Sequence, residues 1–460
     1  MPSKSERDEP RDETLAAAPS RTSPSTGPIP AMPAPAAGHR QVFWMLKLRN
    51  GRLFIGAQFL YSVGWWMSRV GIDWLVLQLT GDLALVGLAV TLQLVPSLAF
   101  SAWAGVLADR YTRRNVLMVA QAAYSGSLAL LAVLALLGAV ESWHVFAVCA
   151  LSGLAIALDG PARLALLPEV VGLPALRHAL SLNSMTISLG GLSAPVVGGV
   201  VIALVGTGWA LAISAIVSFL VVGALSFMRQ RELITAPTVP RVPGQLREAV
   251  RYCLSRPAIL WPLLLVTVVC MFGFSLSVLF AGAATEAGFD TGSGGYGLYM
   301  SVVAVGAMAG AFVIAGRRSL RLRSVVLASG FVGVATIGAG LAGWEPLFFV
   351  ALIAIGASRS MLLIGAETMT QLATDSSIRG RVMSFYFLLA VVGQSIGSLL
   401  LGWLAQIFGL TPTFLFAGAA TIIVAIIAAA SLARRHRLGL RFRLRPGPGL
   451  TIVSRASQLP

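Results

Sequence analysis

The sequence predicts an all-α polytopic membrane protein, with twelve transmembrane helices arranged as two pseudo-symmetric six-helix bundles. Three observations predict it. Hydrophobic residues fill 57% of the 460 positions and charged residues only 11%, whereas a soluble domain carries about 25% charged residues. Twelve apolar runs approach or exceed the roughly 20 residues needed to cross a bilayer. Basic residues fill every second gap between those runs and are missing from the other gaps.

Residues 1–40 are rich in Pro, Ser and Ala. Such a stretch cannot bury enough apolar surface to offset its ordering entropy, so a disordered tail is expected over 1–50. It lacks the pattern of a signal peptide, which leaves the first apolar segment as the expected insertion signal. The spans then fall at 53–80, 84–108, 114–139, 143–165, 181–205 and 208–228, which makes 51–228 the first bundle. A second set at 258–283, 294–316, 323–342, 346–369, 381–408 and 411–433 makes 257–433 the second.

The even gaps hold Arg110, Arg113 and Arg114, then Arg163 and Arg177, then Arg229 to Arg256. Next come Arg317, Arg318, Arg321 and Arg323, and finally Arg379 and Arg381. The odd gaps hold only acids: Asp82, Glu141, Glu286, Asp290 and Glu345. Cytoplasmic loops carry the Lys/Arg excess, so both termini are expected inside. In a soluble chain the net charge of +16 would suggest nucleic acid. Here it fits a membrane face, and no nucleic-acid partner is expected.

The connector 229–256 is broken by Pro237, Pro240 and Pro243. Within it, Leu246, Val250 and Leu254 alternate at helical spacing with Arg247, Glu248 and Arg251, which predicts an amphipathic surface helix. The tail 434–460 is basic and reads as a lipid-facing anchor. Cys149, Cys253 and Cys270 have neither pairing nor ligand spacing, and the four histidines are scattered. No metal, cofactor or disulfide is expected, nor an enzyme, since no nucleophile elbow or phosphate loop appears.

The halves look duplicated. At an offset of 210, Gly87-Leu88 falls on Gly297-Leu298, Arg113 on Arg323, and Val116-Leu117 on Val326-Leu327. At an offset of 200, Asp159 falls on Arg359 and Ser184 on Ser384. Two related halves around a central axis form a transporter architecture, with the substrate near the midplane.

The first basic gap reads Gly105-Val-Leu-Ala-Asp109-Arg110-Tyr-Thr-Arg113-Arg114. It resembles the signature loop of the major facilitator superfamily, Gly-x-Leu-Ala-Asp-Arg-x-Gly-Arg-Lys, with Thr112 in place of the second Gly. Gly105 permits close helix approach. Asp109 can accept bonds from a helix N-terminus, and Arg113 can pair with Asp109. The resemblance implies a latch on the cytoplasmic side against the start of the eleventh span, at Arg379 and Arg381. The second-half loop, Gly316 to Arg323, keeps the charge but lacks the Asp.

In the fifth span, Gly190-Gly-Leu-Ser-Ala194-Pro195-Val-Val-Gly198-Gly199 is similar to the Gly-Pro-x-x-Gly-Gly motif of the superfamily's antiporters and exporters. Ala194 stands where that motif has Gly. The stretch Leu77–Pro96, Asp159-Gly-Pro-Ala-Arg163 and Leu167-Pro-Glu169 resemble the macrolide-efflux and enterobactin-export branch. The resemblance implies a bacterial cytoplasmic-membrane exporter of amphipathic drugs or natural products. It would be proton-coupled and monomeric. A siderophore or lysophospholipid carrier of the same fold is the alternative, and a non-transporting receptor is a distant third.

Charged groups inside spans cost roughly 2.5–3.5 kcal/mol each on insertion scales and are functional candidates by default. They are Arg69 with Asp73, Asp159 with Arg163, Arg359, and Glu367. Either Asp could carry a proton, or could simply neutralise its Arg. The fourth-span Arg that many drug:proton antiporters use is absent, and Cys149 stands near its place. Tyr61, Trp65, Trp66, Gln93, Phe274, Tyr299, Tyr386 and Gln394 lie on spans that line the cavity in the superfamily. They are candidate walls for an amphipathic substrate.

Overall fold

Most helix ends fall within four residues of the expected spans, while the fourth helix runs on to Val171 and the fifth begins at Leu176. The computed structural model describes residues 44–172, 175–234, 245–285, 292–315, 322–375, 378–435, 438–443 and 449–454. A few side chains within helices, including those of Asp109 and Arg177 and the surroundings of Gly105, lie outside the described residues. So does nearly all of the expected N-terminal tail, although the chain is already helical at Arg49.

The first group of helices is α1 (Arg49–Thr80), α2 (Leu83–Arg110), α3 (Arg113–Leu136), α4 (Ser142–Val171), α5 (Leu176–Val205) and α6 (Thr207–Ser226). The connector helix α7 runs Gln245–Ser255. The second group opens with α8 (Pro257–Val269), a π turn (Cys270–Phe274) and α9 (Leu276–Ala283). It continues with α10 (Gly292–Ala315), α11 (Leu322–Gly340), α12 (Glu345–Leu372), α13 (Arg379–Phe408) and α14 (Leu410–Arg435). The basic tail then forms an antiparallel hairpin, β1 (Leu438–Arg443) with β2 (Gly449–Ser454), which its composition did not suggest.

Among the described residues, eleven helical segments are long and apolar enough to cross a membrane. α1 falls outside that set because Asn50, Gln58, Arg69, Asp73 and other polar residues dilute its apolar run. Large apolar side chains such as Leu164, Leu204 and Phe312 are exposed, which suits a lipid surround rather than water.

Within the first group α2 packs on α4, α3 on α4 and α6, and α1 on α5 and α6. The second group repeats the pattern: α10 packs on α12, and α11 on α12 and α14. The groups meet at two crossings, α2 with α13 and α5 with α10. Both crossings need a residue without Cβ. A methyl group at Gly87 would strike the Ser398 carbonyl, and one at Gly297 would strike that of Pro195. These are the glycines that the 210 offset aligns.

The 200 offset does not hold. α4 crosses α2 at Gly153, against the Gln93 carbonyl, and α12 crosses α10 at Gly356, against the Val303 carbonyl. Those glycines are 203 positions apart. So are Gly206 and Gly409, which join α5 to α6 and α13 to α14 at φ values of 91° and 86°. Asp159 therefore matches Leu362, and Arg359 matches Ile156. The physical reason is that close backbone crossings fix the register, while chance identities in apolar sequence do not.

The connector docks through α7. Tyr252 donates to Asp375 at 2.9 Å, and Arg256 pairs with Asp375 at 3.3 Å. In the first group, Arg114 donates to the carbonyls of Leu225 and Ser226, both at 2.6 Å. It thereby satisfies orphan acceptors at the C-terminal end of α6.

Candidate functional site

Among the described residues, the backbone crossings and hydrogen bonds between the two groups lie toward the end of the molecule marked by Gly206 and Gly409, away from the basic gaps. Thr91 donates to the Ser395 carbonyl at 2.9 Å, and the Leu83 amide donates to Gln406 at 3.1 Å. On the opposite crossing, Gly199 and Gly297 bring α5 and α10 into backbone contact. The fifth-span motif has two faces. Gly190 rests on Ser62 and Gly198 on Met67 of α1. Pro195 and Gly199 face α10, and Ala194 is buried. It is a packing junction of α1, α5 and α10.

Next to this seal lies a cavity of about 410 Å³ between the groups. α1, α5, the π turn, α9, α10, α12 and α13 all contribute to its wall. Trp65, Trp66, Phe274 and Gln394 line it, together with Arg69, Arg359 and Ser277. The two tryptophans meet edge to face, with centroids 4.8 Å apart. The other expected wall residues lie elsewhere. Gln93 is buried and donates to Cys149 at 3.6 Å. Tyr299 is buried in an aromatic cluster with Phe348 and Phe349. Tyr386 is buried and donates to the Leu363 carbonyl at 3.2 Å. Tyr61 lies beneath the Arg163 guanidinium, 4.1 Å from its ring centre. Seven of the eight candidates lie on elements that contribute to the wall, Gln93 of α2 being the exception, but the face each side chain takes was not legible.

The two acid–arginine pairs differ. Arg163 grips Asp159 with two bonds, 2.8 and 2.7 Å, while Gln121 donates to Asp159 at 2.8 Å. Arg163 also donates to Gln58 at 3.0 Å. α1, α3 and α4 are thus tied together inside the first group. Arg69 reaches Asp73 with a single contact of 3.4 Å. Tyr296 of α10 donates to the same Asp73 oxygen at 2.9 Å, and its ring stacks near Trp74, with centroids 6.4 Å apart. The other Asp73 oxygen is buried with no hydrogen-bond partner. Asp73 thereby connects the first group to the second.

At the start of α3, Arg113 pairs with Glu169 of α4. Arg110 and Arg379 are exposed, and Arg379 donates to the Thr374 carbonyl at 3.3 Å. The half-buried Glu367 accepts from Gln371 at 3.1 Å. Among the described residues no group of His, Cys, Asp or Glu is placed to hold a metal ion.

Sequence reasoning did not single out Tyr296, Gln58, Gln121 or Ser277. An amide inside an apolar run is the signal that could have found Gln58 and Gln121. Nothing local marks Tyr296 as the partner of a carboxylate 223 positions away.

A family model described as transmembrane secretion effector matches residues 47–438. The staphyloferrin A transporter of Staphylococcus aureus is 24% identical over 393 residues, covering 82% of this chain and 94% of that protein. The enterobactin exporter EntS of Citrobacter koseri is 26% identical over 386 residues, covering 81% and 89%. The multidrug efflux pump Tap of Mycolicibacterium fortuitum is 28% identical over 374 residues, covering 78% and 90%. Among solved structures, a bacterial homologue of the lysosomal transporter Spinster superposes with a TM-score of 0.63 at 16% identity, covering 84% of this chain and 97% of that one.

Proposed function

Because the chain belongs to the transmembrane secretion effector family of the major facilitator superfamily, we propose that it exports amphipathic small molecules by alternating access. It is a multi-pass membrane transport protein of the superfamily's exporter branch, not an enzyme. In our reading twelve helices span the bilayer. They are α1 to α6, the broken α8–π–α9 segment, and α10 to α14, in two pseudo-symmetric bundles. The repeated packing and the paired 203-residue offsets support that count. The arginine-rich ends face the cytoplasm, by the positive-inside rule.

One observation carries the transport reading. Among the described residues, a cavity with walls from both helix groups has its tight backbone crossings at the non-basic end. With the basic end inside, this is a cytoplasm-facing state, ready to take up cargo for export. Closing the basic end would bring the loop from Gly105 to Arg114 toward Arg379 and Arg381, which supports a latch there. Glu169 holds Arg113 in this state.

Protons are the proposed driving ion, and Asp73 is the carrier rather than Asp159. Asp159 has two partners on its oxygens, whereas Asp73 has one unpartnered oxygen and a bond that must break when the seal opens. The test is accumulation of a panel of amphipathic compounds in cells with and without the protein, repeated with a protonophore. Extrusion that depends on the protein and collapses with the gradient is expected. Extrusion that survives the protonophore contradicts proton coupling, and no extrusion of any compound contradicts export.

A siderophore cargo is the second reading. It is favoured by the arginine-bearing cavity wall and by what the staphyloferrin A and enterobactin relatives are named for.

A further inference from the structure

Arg359 sits in the middle of α12 and lines the cavity. Its contacts are weak ones: a 3.4 Å bond to the Gly273 carbonyl, and the Phe274 ring 3.9 Å from its guanidinium. Among the described residues no carboxylate lies within ion-pair distance of it. Arg69 and Arg163 each have an Asp one turn along the helix. Glu367 stands two turns away from Arg359, about 12 Å along the axis, and is bonded to Gln371. An unpaired arginine in a membrane-spanning segment is expensive and is retained for a purpose.

A second group points the same way. Ser277 lines the cavity, is 4% exposed, and its hydroxyl has no hydrogen-bond partner. The adjoining wall is apolar and aromatic, from Trp65, Trp66 and Phe274. Among the described residues the cavity therefore has an uncompensated positive charge, a buried idle hydroxyl, and flat apolar surface beside them.

We infer that Arg359 and Ser277 form an anion subsite, and that the cargo is an amphipathic anion with a carboxylate or comparable oxyanion at one end and an aromatic or aliphatic body. That the anion is cargo rests on the exporter reading; that it binds does not. Arg359 donates planar N–H groups to the oxyanion, the bidentate geometry that guanidinium favours. Ser277 donates its hydroxyl proton, and Trp65, Trp66 and Phe274 flank the body. Asp73 leaves Arg69 locally neutralised, so Arg359 sets the charge preference.

The test uses two probes of one skeleton and opposite charge, 1-pyrenebutyrate and 1-pyrenebutyl-trimethylammonium. Each is titrated into the full-length protein in nanodiscs, with empty nanodiscs as blank, and binding is read by energy transfer from tryptophan. The anion is expected to bind about tenfold more tightly than the cation, the strength of one charge-assisted contact. Arg359→Gln is expected to erase the preference by weakening the anion alone. Arg359→Lys is expected to keep part of it, and Ser277→Ala to weaken the anion a few-fold. Equal or tighter binding of the cation by the wild-type protein overturns the subsite without any variant having to fold. A retained preference in Arg359→Gln overturns it as well.

The two readings fail separately. Anion preference without outward transport of pyrenebutyrate in inverted vesicles contradicts export and leaves the subsite standing. Export of the cation with no preference for the anion contradicts the subsite and leaves export standing.

Discussion

Asp159–Arg163 and Arg69–Asp73 are the same device in sequence, an acid and an arginine one helical turn apart inside an apolar span. In space they differ. The first is a closed network within one helix group, with Gln121 and Gln58 completing it. The second is held by a long contact, has an idle oxygen, and reaches Tyr296 in the other group. A pair buried wholly inside a rigid body can only staple. A pair that crosses a moving boundary must break and reform in every cycle, so its charge state is able to bias the motion.

The comparison breaks most sharply at the staple. Arg163→Gln leaves Asp159 buried without its counter-charge and should cost about 3–5 kcal/mol of stability. Adding Asp159→Asn should recover much of that loss. Thermal unfolding in detergent reads both, and a single variant that melts like the wild type would mean the network carries no load. Gly297→Val acts on the seal instead. Its side chain has no room against Pro195 and Gly199, so the non-basic end should fail to shut. Transport should fall by at least about tenfold, one order in an equilibrium being 1.4 kcal/mol, while a thiol reagent gains access to a cysteine placed at Ala194, which is buried beside that seal. The smallest effect is expected at Tyr296→Phe, which keeps the ring near Trp74 and removes one hydroxyl. A net loss of about 1 kcal/mol from the closed state should raise that same reagent access a few-fold, with no change in melting of the size seen for Arg163→Gln.

The long helices were legible in the sequence because crossing a bilayer demands long apolar runs, and eleven of the described segments are long and apolar enough to do so. The helix α4 runs six residues past the expected end, to Val171 rather than Ala165, because Pro168 and Glu169 interrupt an apolar run that Leu166, Leu167, Val170 and Val171 continue. The i, i+4 charge pairs were legible too, since helical spacing dictates them. Their division of labour was not, because it depends on Tyr296, Gln58 and Gln121, which lie on other helices. The cavity wall was half legible. Trp65 and Phe274 face it, whereas Tyr299 and Tyr386, on equally plausible helices, turn into the core. An apolar helix inside an apolar solvent has no strong polar face to say which way it points.

The most direct test of the central claim, that Asp73 couples charge to the seal, is a distance measured across the non-basic end. Ala139→Cys and Gly343→Cys place exposed labels on the two helix groups, while Cys149, Cys253 and Cys270 are buried and label poorly. Spin-label distances would be recorded from neutral to acidic pH, in the wild-type background and with Asp73→Asn. A proton on Asp73 removes the charge that Arg69 and Tyr296 hold, so the account predicts that the labels separate as pH falls. With Asp73→Asn they should sit apart at every pH. A distance that responds to pH in Asp73→Asn as it does in the parent would contradict the account.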